Sequence, residues 1–380
     1  MKSIRKFVKK TKTVLSFVLN NKNYLNKESY YPDEPHKSKT EIFWDQLYFI
    51  LKFGNVERFY YAYGFDRKSM PRKKCVDEYI INESDFLCKV DYYNNHIKGN
   101  PKLVPGRVII ADKFYFFLFL KDFGVPTPKI YYYFRDGSVF YNLEQNTNDT
   151  KESGKLFSYD FDGFAKPVGG QLGDGAFPVK VSSSRIFIND NKEISKEELL
   201  QSLSKTNYII QERIVQHPEM DKLCSTSLNT IRLQTVMTED KGIIAFGATC
   251  RLGREGSFVD NWAKGGLIVG IDMNTGKLQK TAFNKPSYGI TVTQHPDNGL
   301  VFEGFEIPFF KEAVEMAKDL HTKLYRIHSI GWDIAITPGG PMFIEGNSLW
   351  EISLIQTANG GLKKQIEKYF TYRETTHNCE

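Results

Sequence analysis

The chain has 380 residues, 41% of them hydrophobic, enough for two or three domains with real cores. Its formal charge of +6 is concentrated at one end. Lys2, Arg5, Lys6, Lys9, Lys10, Lys12, Lys22 and Lys27 all precede the first acid, Glu28, so the other 353 residues sum to −2 and nucleic acid is not an expected partner.

Five widely spaced cysteines (Cys75, Cys88, Cys224, Cys250, Cys379) contain no CxxC pair, which argues against a disulfide scaffold or a zinc site. No apolar run reaches the roughly 18–20 residues needed to span a bilayer. No signal-peptide cleavage pattern follows the basic start, and a cytoplasmic protein is expected.

Residues 1–110 read as a mainly helical accessory region. Ile4, Phe7, Val8, Thr11, Leu15 and Val18 recur at helical spacing, with most lysines elsewhere on the wheel. Such a helix can lie on the inner, anionic face of a membrane, each near-surface cation contributing about 1 kcal/mol. Alternatively, its apolar stripe packs on the protein's own core. Phe43 to Phe53 and Phe59 to Phe65 are aromatic-rich and expected to be helical, with no evident chemistry.

Residues 111–215 form the expected central subdomain. Asp112-Lys113 should begin a helix whose apolar side includes Phe114, Phe117, Leu118 and Phe119, stopped by Gly124. Tyr141 to Phe157 is rich in Asn, Thr, Lys and Ser, as in a surface insertion. Next, a strand carrying Lys166 runs into a loop with Gly169, Gly170, Gly173 and Gly175. Backbone N–H groups of such a loop can close on phosphate oxygens while the lysine neutralises charge; the competing reading is a flexible hairpin tip. It is neither a P-loop nor a dinucleotide fingerprint, because GK[ST] and a following helix are missing. In the strand Tyr208 to Val215, Gln211 and Glu212 could hydrogen-bond an adenine amino group, or Glu212 could pair with Arg213.

Residues 216–380 form the expected C-terminal subdomain. Arg232 is embedded in the apolar strand Ser227 to Val236, and a buried guanidinium requires an anionic partner. A strand pair is expected over Ile243 to Leu252. Asn261, Lys264 and a Gly265-Gly266 turn then precede another strand, and Pro308 to Ile327 should be a core helix. Gly331 to Trp350 reads as two strands around Pro-Gly-Gly-Pro, with a last helix beyond Asn359-Gly360. A three-residue loop, Pro338 to Gly340, sets Asp333 opposite Glu345 with Asn347 on the same face; a two- or four-residue loop turns Asp333 away. Two carboxylates and a carboxamide on one patch make an all-oxygen site suited to Mg²⁺, or simply an exposed polar hairpin.

Taken in order, Lys113 before a helix and GVPTP, Lys166 before a Gly-rich loop, Gln211-Glu212, Arg232, Asn261 with Lys264-Gly-Gly, Asp333 and Glu345-x-Asn347 resemble the ATP-grasp fold over about residues 110–360. The QERIVQHPE, LNTIR, GWDIAIT and EGN stretches are similar to the sugar-transfer-associated ATP-grasp proteins of polysaccharide gene clusters. More distantly, the NxxxGG turn and D…ExN hairpin are similar to the glutamate ligases that modify ribosomal protein tails.

The resemblance implies an α/β (α+β) chain in which two α+β subdomains, 111–215 and 216–380, grip ATP. It implies that Lys113 and Lys166 hold phosphates under the loop of Gly169, Gly170 and Gly173, while Gln211, Glu212 and the backbone to Ile214 hold adenine. Glu219 then takes the ribose hydroxyls. Asp333, Glu345 and Asn347 bind two Mg²⁺ ions, with Mn²⁺ able to substitute, and Arg232, Lys264 and Asn261 form the catalytic set. Lys264 is a departure, since the glutamate ligases commonly carry Arg there. The implied activity is carboxylate–amine ligation through an acyl phosphate, joining an amine or amino acid to a uronic acid or other carboxylate of a capsular or O-antigen-type glycan. A sugar phosphotransferase and a non-catalytic ATP-binding membrane scaffold are the alternatives.

Overall fold

The computed structural model describes residues 2–95, 106–136, 138–142, 156–169, 174–240, 242–257, 260–285, 289, 291–324 and 327–370, with side chains from residue 10 onward except at 95, 141 and 142. Most of the expected insertion at 141–157 therefore lies outside the described residues.

Seven helices precede the first strand: α1 (Lys2–Leu19), α2 (Lys22–Leu25), α3 (Lys39–Phe53), α4 (Arg72–Glu78), α5 (Glu83–Asn95), α6 (Arg107–Ala111) and α7 (Lys113–Asp122). Local chemistry fixes their ends. A capping box opens α3: Ser38 Oγ accepts from the Glu41 N–H, and the Glu41 carboxylate accepts from the Ser38 N–H. Gly54, at φ +92°, closes it. Asp112 caps α7 by accepting from the Phe114 and Tyr115 N–H groups. Residues 59–65 are not the expected helix but consecutive turns, in which Gly64 at φ +67° reverses the chain.

Two seven-stranded antiparallel sheets follow. The first comprises β1 (Ile130–Arg135), β2 (Ser138–Asn142), β3 (Phe161–Pro167), β4 (Phe177–Ser182), β5 (Arg185–Ile188), β6 (Lys192–Ile194) and, after α8 (Lys196–Leu203), β7 (Tyr208–Glu212). Their order is β2-β1-β7-β3-β4-β5-β6. After α9 (Pro218–Leu223), the second comprises β8 (Thr230–Met237), β9 (Ile243–Leu252), β10 (Leu267–Ile271), β11 (Leu278–Phe283), β12 (Thr291–Val292) and, beyond α10 (Phe310–Lys323), β13 (Ser329–Thr337) and β14 (Gly340–Asn347). They run β12-β11-β10-β9-β8-β13-β14. Residues 243–252 thus form one long strand, not a pair. α11 (Ile352–Asn359), where the sequence suggested no helix, and α12 (Lys363–Ile366) follow, and a 3-10 turn at Glu367–Phe370 ends the described residues.

The helix α7 lies between the sheets and serves both. Phe114 and Phe117 pack with Ile130, Tyr133 and Ile209, while Phe116 and Leu120 join the core of the second sheet. Leu118 faces outward, contrary to expectation. On β13, Ile330, Trp332, Ile334 and Ile336 are fully buried in a core with Ala313, Ala317 and Leu320 of α10. The period of two sends Asp333 to the other face.

The turn between β13 and β14 differs from the expected one. Thr337 pairs with Gly340, leaving a two-residue loop, and Gly340 takes the positive φ of +108°. A bulge at Ile344 then restores the register, so that Asp333 stands opposite Glu345.

Residues 30–90 do not form a core of their own. Phe49, Tyr60, Tyr63 and Phe65 belong to one cluster with Phe246, Trp262, Trp350 and Ile355 of the second sheet and its flanking segments. Hydrogen bonds reinforce the join. Asn94 Nδ2 donates to the Ser329 and Ser348 carbonyls, and its Oδ1 accepts from the His328 and Ser329 N–H groups. Among the described residues no helix is long and apolar enough to cross a membrane.

Candidate active site

A cavity of about 940 Å³ opens between the sheets, with Lys166, Gln211 and Glu212 on one wall and Arg232, Arg251, Asp333 and Glu345 on the other. Its floor is built by cross-strand pairing. Arg232 on β8 stands directly opposite Asp333 on β13, and its Nε and Nη2 donate to the two oxygens of that carboxylate. Arg251 Nη1 donates to Asp333 Oδ2 at 3.2 Å, and its Nη2 to Asp260 Oδ1 at 2.8 Å. Thr230 Oγ1 donates to the other Asp260 oxygen. Two arginines and two aspartates thus form one buried, charge-balanced chain. Burial pushes the Asp333 carboxyl up, but Arg232 and Arg251 prevail and hold it below the ordinary carboxylate value.

Glu345 is approached from the opposite wall, by Lys113 Nζ at 3.2 Å and Lys166 Nζ at 3.9 Å. Lys113 also donates to the Val168 carbonyl. Burial lowers the Lys166 ammonium to about 8; Glu345 works against that shift and Lys113 with it. Asn347 also lines the cavity, and its Nδ2 donates to the Gly331 carbonyl at 3.3 Å. Lys113, Lys166, Arg232, Asp333, Glu345 and Asn347 therefore meet in one place, although they come from four strands and a helix start.

The end of β7 and the residues after it also reach the wall, with Gln211, Glu212 and Ile214 lining the cavity. Arg213 pairs with Asp190 and Asp162, not with Glu212. Burial raises the Glu212 carboxyl, partly offset by Lys129. Gly169 lines the cavity, whereas Gly170 and Gly173 lie outside the described residues.

Three expectations do not match the geometry. Glu219 lies off the wall and is engaged by Lys222 Nζ at 2.7 and 2.8 Å; Asp221, two residues on and so on another side of α9, is the acid that lines the cavity. Lys264 stands at the rim, not on the wall, where its Nζ reaches Asp174 of the glycine loop at 2.7 Å. Asn261 lines the cavity but spends its carboxamide oxygen capping the turn at the Ala263 N–H. That turn depends on glycine: Gly265 has φ +91°, and a Cβ on Gly266 would lie 2.9 Å from three backbone carbonyl oxygens. Arg251 and Asp260 were missed, although an Arg inside the apolar strand Cys250-Arg251-Leu252 carries the same signal that singled out Arg232.

The chain belongs to the sugar-transfer associated ATP-grasp family, whose model matches residues 100–369. Among solved structures it is similar to D-alanine-D-alanine ligase from Helicobacter pylori, with 14% identity over 70% of this chain and 62% of that one and a TM-score of 0.37. It is also similar to N5-carboxyaminoimidazole ribonucleotide synthetase from Thermotoga maritima, with 15% identity, 63% and 42% coverage and a TM-score of 0.32. The ATP-grasp ligase PsnB, complexed with a phosphomimetic variant of its minimal precursor, Mg and ADP, gives 14%, 70%, 60% and 0.35. The chain spans less than two thirds of the length of each. A comparison with curated proteins finds no match.

Proposed function

We propose that the chain is an ATP- and Mg²⁺-dependent ligase that joins a carboxylate, borne by a sugar or glycan, to an amine. The observation that supports this reading most is the gathering of Lys113, Lys166, Arg232 and Arg251 with Asp333, Glu345 and Asn347 around one cavity. Four cations suit a triphosphate, and the oxygen donors suit a hard divalent ion.

The donor chemistry fits Mg²⁺. No group of three His, Cys, Asp or Glu side chains converges among the described residues. A cation here would be held by Glu345, Asp333 and the Asn347 carboxamide, with phosphate oxygens and water completing its shell, as Mg²⁺ prefers. When bound, Mg²⁺ supplies charge neutralisation on the phosphate oxygens. Asp333 would have to share its oxygens with the Arg232 and Arg251 guanidiniums.

A carboxylate is a poor acyl donor because its leaving group would be oxide. Attack of a carboxylate oxygen on the γ-phosphorus expels ADP and gives an acyl phosphate. An amine then attacks the acyl carbon, and inorganic phosphate leaves. Lys113 and Lys166 hold the nucleotide phosphates, while Arg232 and Arg251 stabilise charge on the phosphoryl group in transit. No side-chain nucleophile is required.

The test is turnover of the full chain with MgATP, uronic acids and amines. ADP and phosphate should appear together only when both co-substrates are present. ADP release with a neutral sugar and no free phosphate would instead mark a phosphotransferase and end the ligase reading.

A further inference from the structure

The basic helix α1 is used by neither the cavity nor the main core. It packs on α3 in an antiparallel sense: Phe17 is buried with its ring 5.2 Å from that of Phe43, and at the other end Lys10 Nζ donates to the Leu51 carbonyl. Those contacts use one side of the helix. The apolar stripe noted in the sequence lies on another side, because Leu15 and Val18 are 56% and 44% exposed, and Leu19 beside them is 81% exposed. The side chains of Ile4, Phe7 and Val8 lie outside the described residues. On α3, Trp44 and Leu51 are two turns apart on one side of the helix and are 55% and 57% exposed. The reading in which the stripe covers the protein's own core is therefore not met at Leu15 and Val18.

Charge says what covers this face. The first 27 residues carry eight cations and no acid. Lys12, Lys22 and Lys52 are among the described residues there. Asp45 of α3 is turned inward and taken by Lys37 and Arg72. Lysine is depleted in protein–protein interfaces, whereas leucine and tryptophan ringed by lysine suit the boundary between lipid headgroups and acyl chains. We propose that the α1–α3 face docks on an anionic lipid bilayer. Leu15, Val18 and Leu19 enter the acyl boundary, Trp44 sits at headgroup level, and the lysines meet lipid phosphates.

The test is co-sedimentation of the full chain with phosphatidylcholine vesicles, with and without phosphatidylglycerol. Binding is expected only to the anionic vesicles, weakening as salt is raised. The double variant Leu15→Ser/Leu19→Ser should bind about tenfold more weakly or worse, and Lys12→Glu/Lys22→Glu likewise. Leu15→Trp should bind at least as tightly as the native chain. Failure to pellet, equal pelleting with neutral vesicles, undiminished binding of the serine variant or weakened binding of Leu15→Trp each overturns the proposal. So does a lipid-free dimer, seen by light scattering, that the serine variant abolishes, because a second copy would then be the occupant.

Discussion

Asp333 is held by two guanidiniums while Glu345, on the next strand, faces two ammonium groups. The two carboxylates therefore respond differently to loss of their partners. Arg251→Ala leaves Asp260 without its cation and Asp333 with one guanidinium fewer in a buried site. A loss of stability on the order of 3–5 kcal/mol in urea denaturation is expected. Glu345 is only half-buried, so Glu345→Ala should abolish ATP-dependent turnover and leave the melting temperature close to that of the native chain. Lys166→Ala should weaken nucleotide binding about tenfold or more by calorimetry, since it removes a charge-assisted contact to phosphate. At this scale Lys166, Arg232, Asp333 and Glu345 stand out in the sequence as charged groups inside apolar strands or beside glycines, whereas Asn347 rested on the hairpin pattern and Lys113, at a helix start, on the family resemblance alone. Glu219 misled for a physical reason: on a helix, two residues of separation reverse the direction of a side chain, and spacing alone does not separate Glu219 from Asp221.

At the scale of elements, the hairpin of β13 and β14 shows how a right pairing can rest on a wrong turn. From the sequence, Asp333 meets Glu345 only if Pro-Gly-Gly-Pro makes a three-residue loop, whereas a two-residue loop and the bulge at Ile344 give the same alignment. A bulge adds one residue to one strand and has no fixed sequence mark, so it was not legible. Deleting Ile344 removes the bulge and leaves Glu345 opposite Asp333, so MgATP-dependent thermal stabilisation should survive, whereas inserting one residue after Phe343 of a chain lacking Ile344 should restore the native spacing without further gain. Asn94 joins α5 to the base of the same hairpin through four hydrogen bonds. Asn94→Leu strips these and should cost roughly 2–4 kcal/mol, read as faster hydrogen exchange at the Ser329 amide. Nothing in the sequence pattern around Asn94 marks this role, because its partners lie 234 to 254 residues away.

For the whole molecule, the join between residues 30–90 and the second sheet also buries acids. Burial pushes the Glu57 carboxyl up to about 7. An acid raised in the folded state favours folding while protonated, so its contribution is full below pH 4.5 and is lost as pH rises through about 7. Relative to Glu57→Gln, the native chain should lose on the order of 3 kcal/mol across that window, measured as the gap between their denaturation midpoints. The helical character of α1 is legible from periodicity and that of α3 from its aromatic-rich run, but the reach of this region is not. The aromatics of residues 59–65 follow no period, because they sit on consecutive turns and pack largely on one another and on Phe49 and Tyr79, with Phe59 stacked on Trp262.

That shared aromatic seam bears on where the protein can be cut. The family match begins at residue 100, after most of the seam's first side has already been made. A polypeptide expressed from residue 100 to 369 would leave Phe246, Trp262, Trp350 and Ile355 facing water. It should be recovered as aggregate, while co-expression with residues 1–99 as a separate chain should restore soluble material. The stretch that the family model matches is thus smaller than the unit that closes this aromatic core.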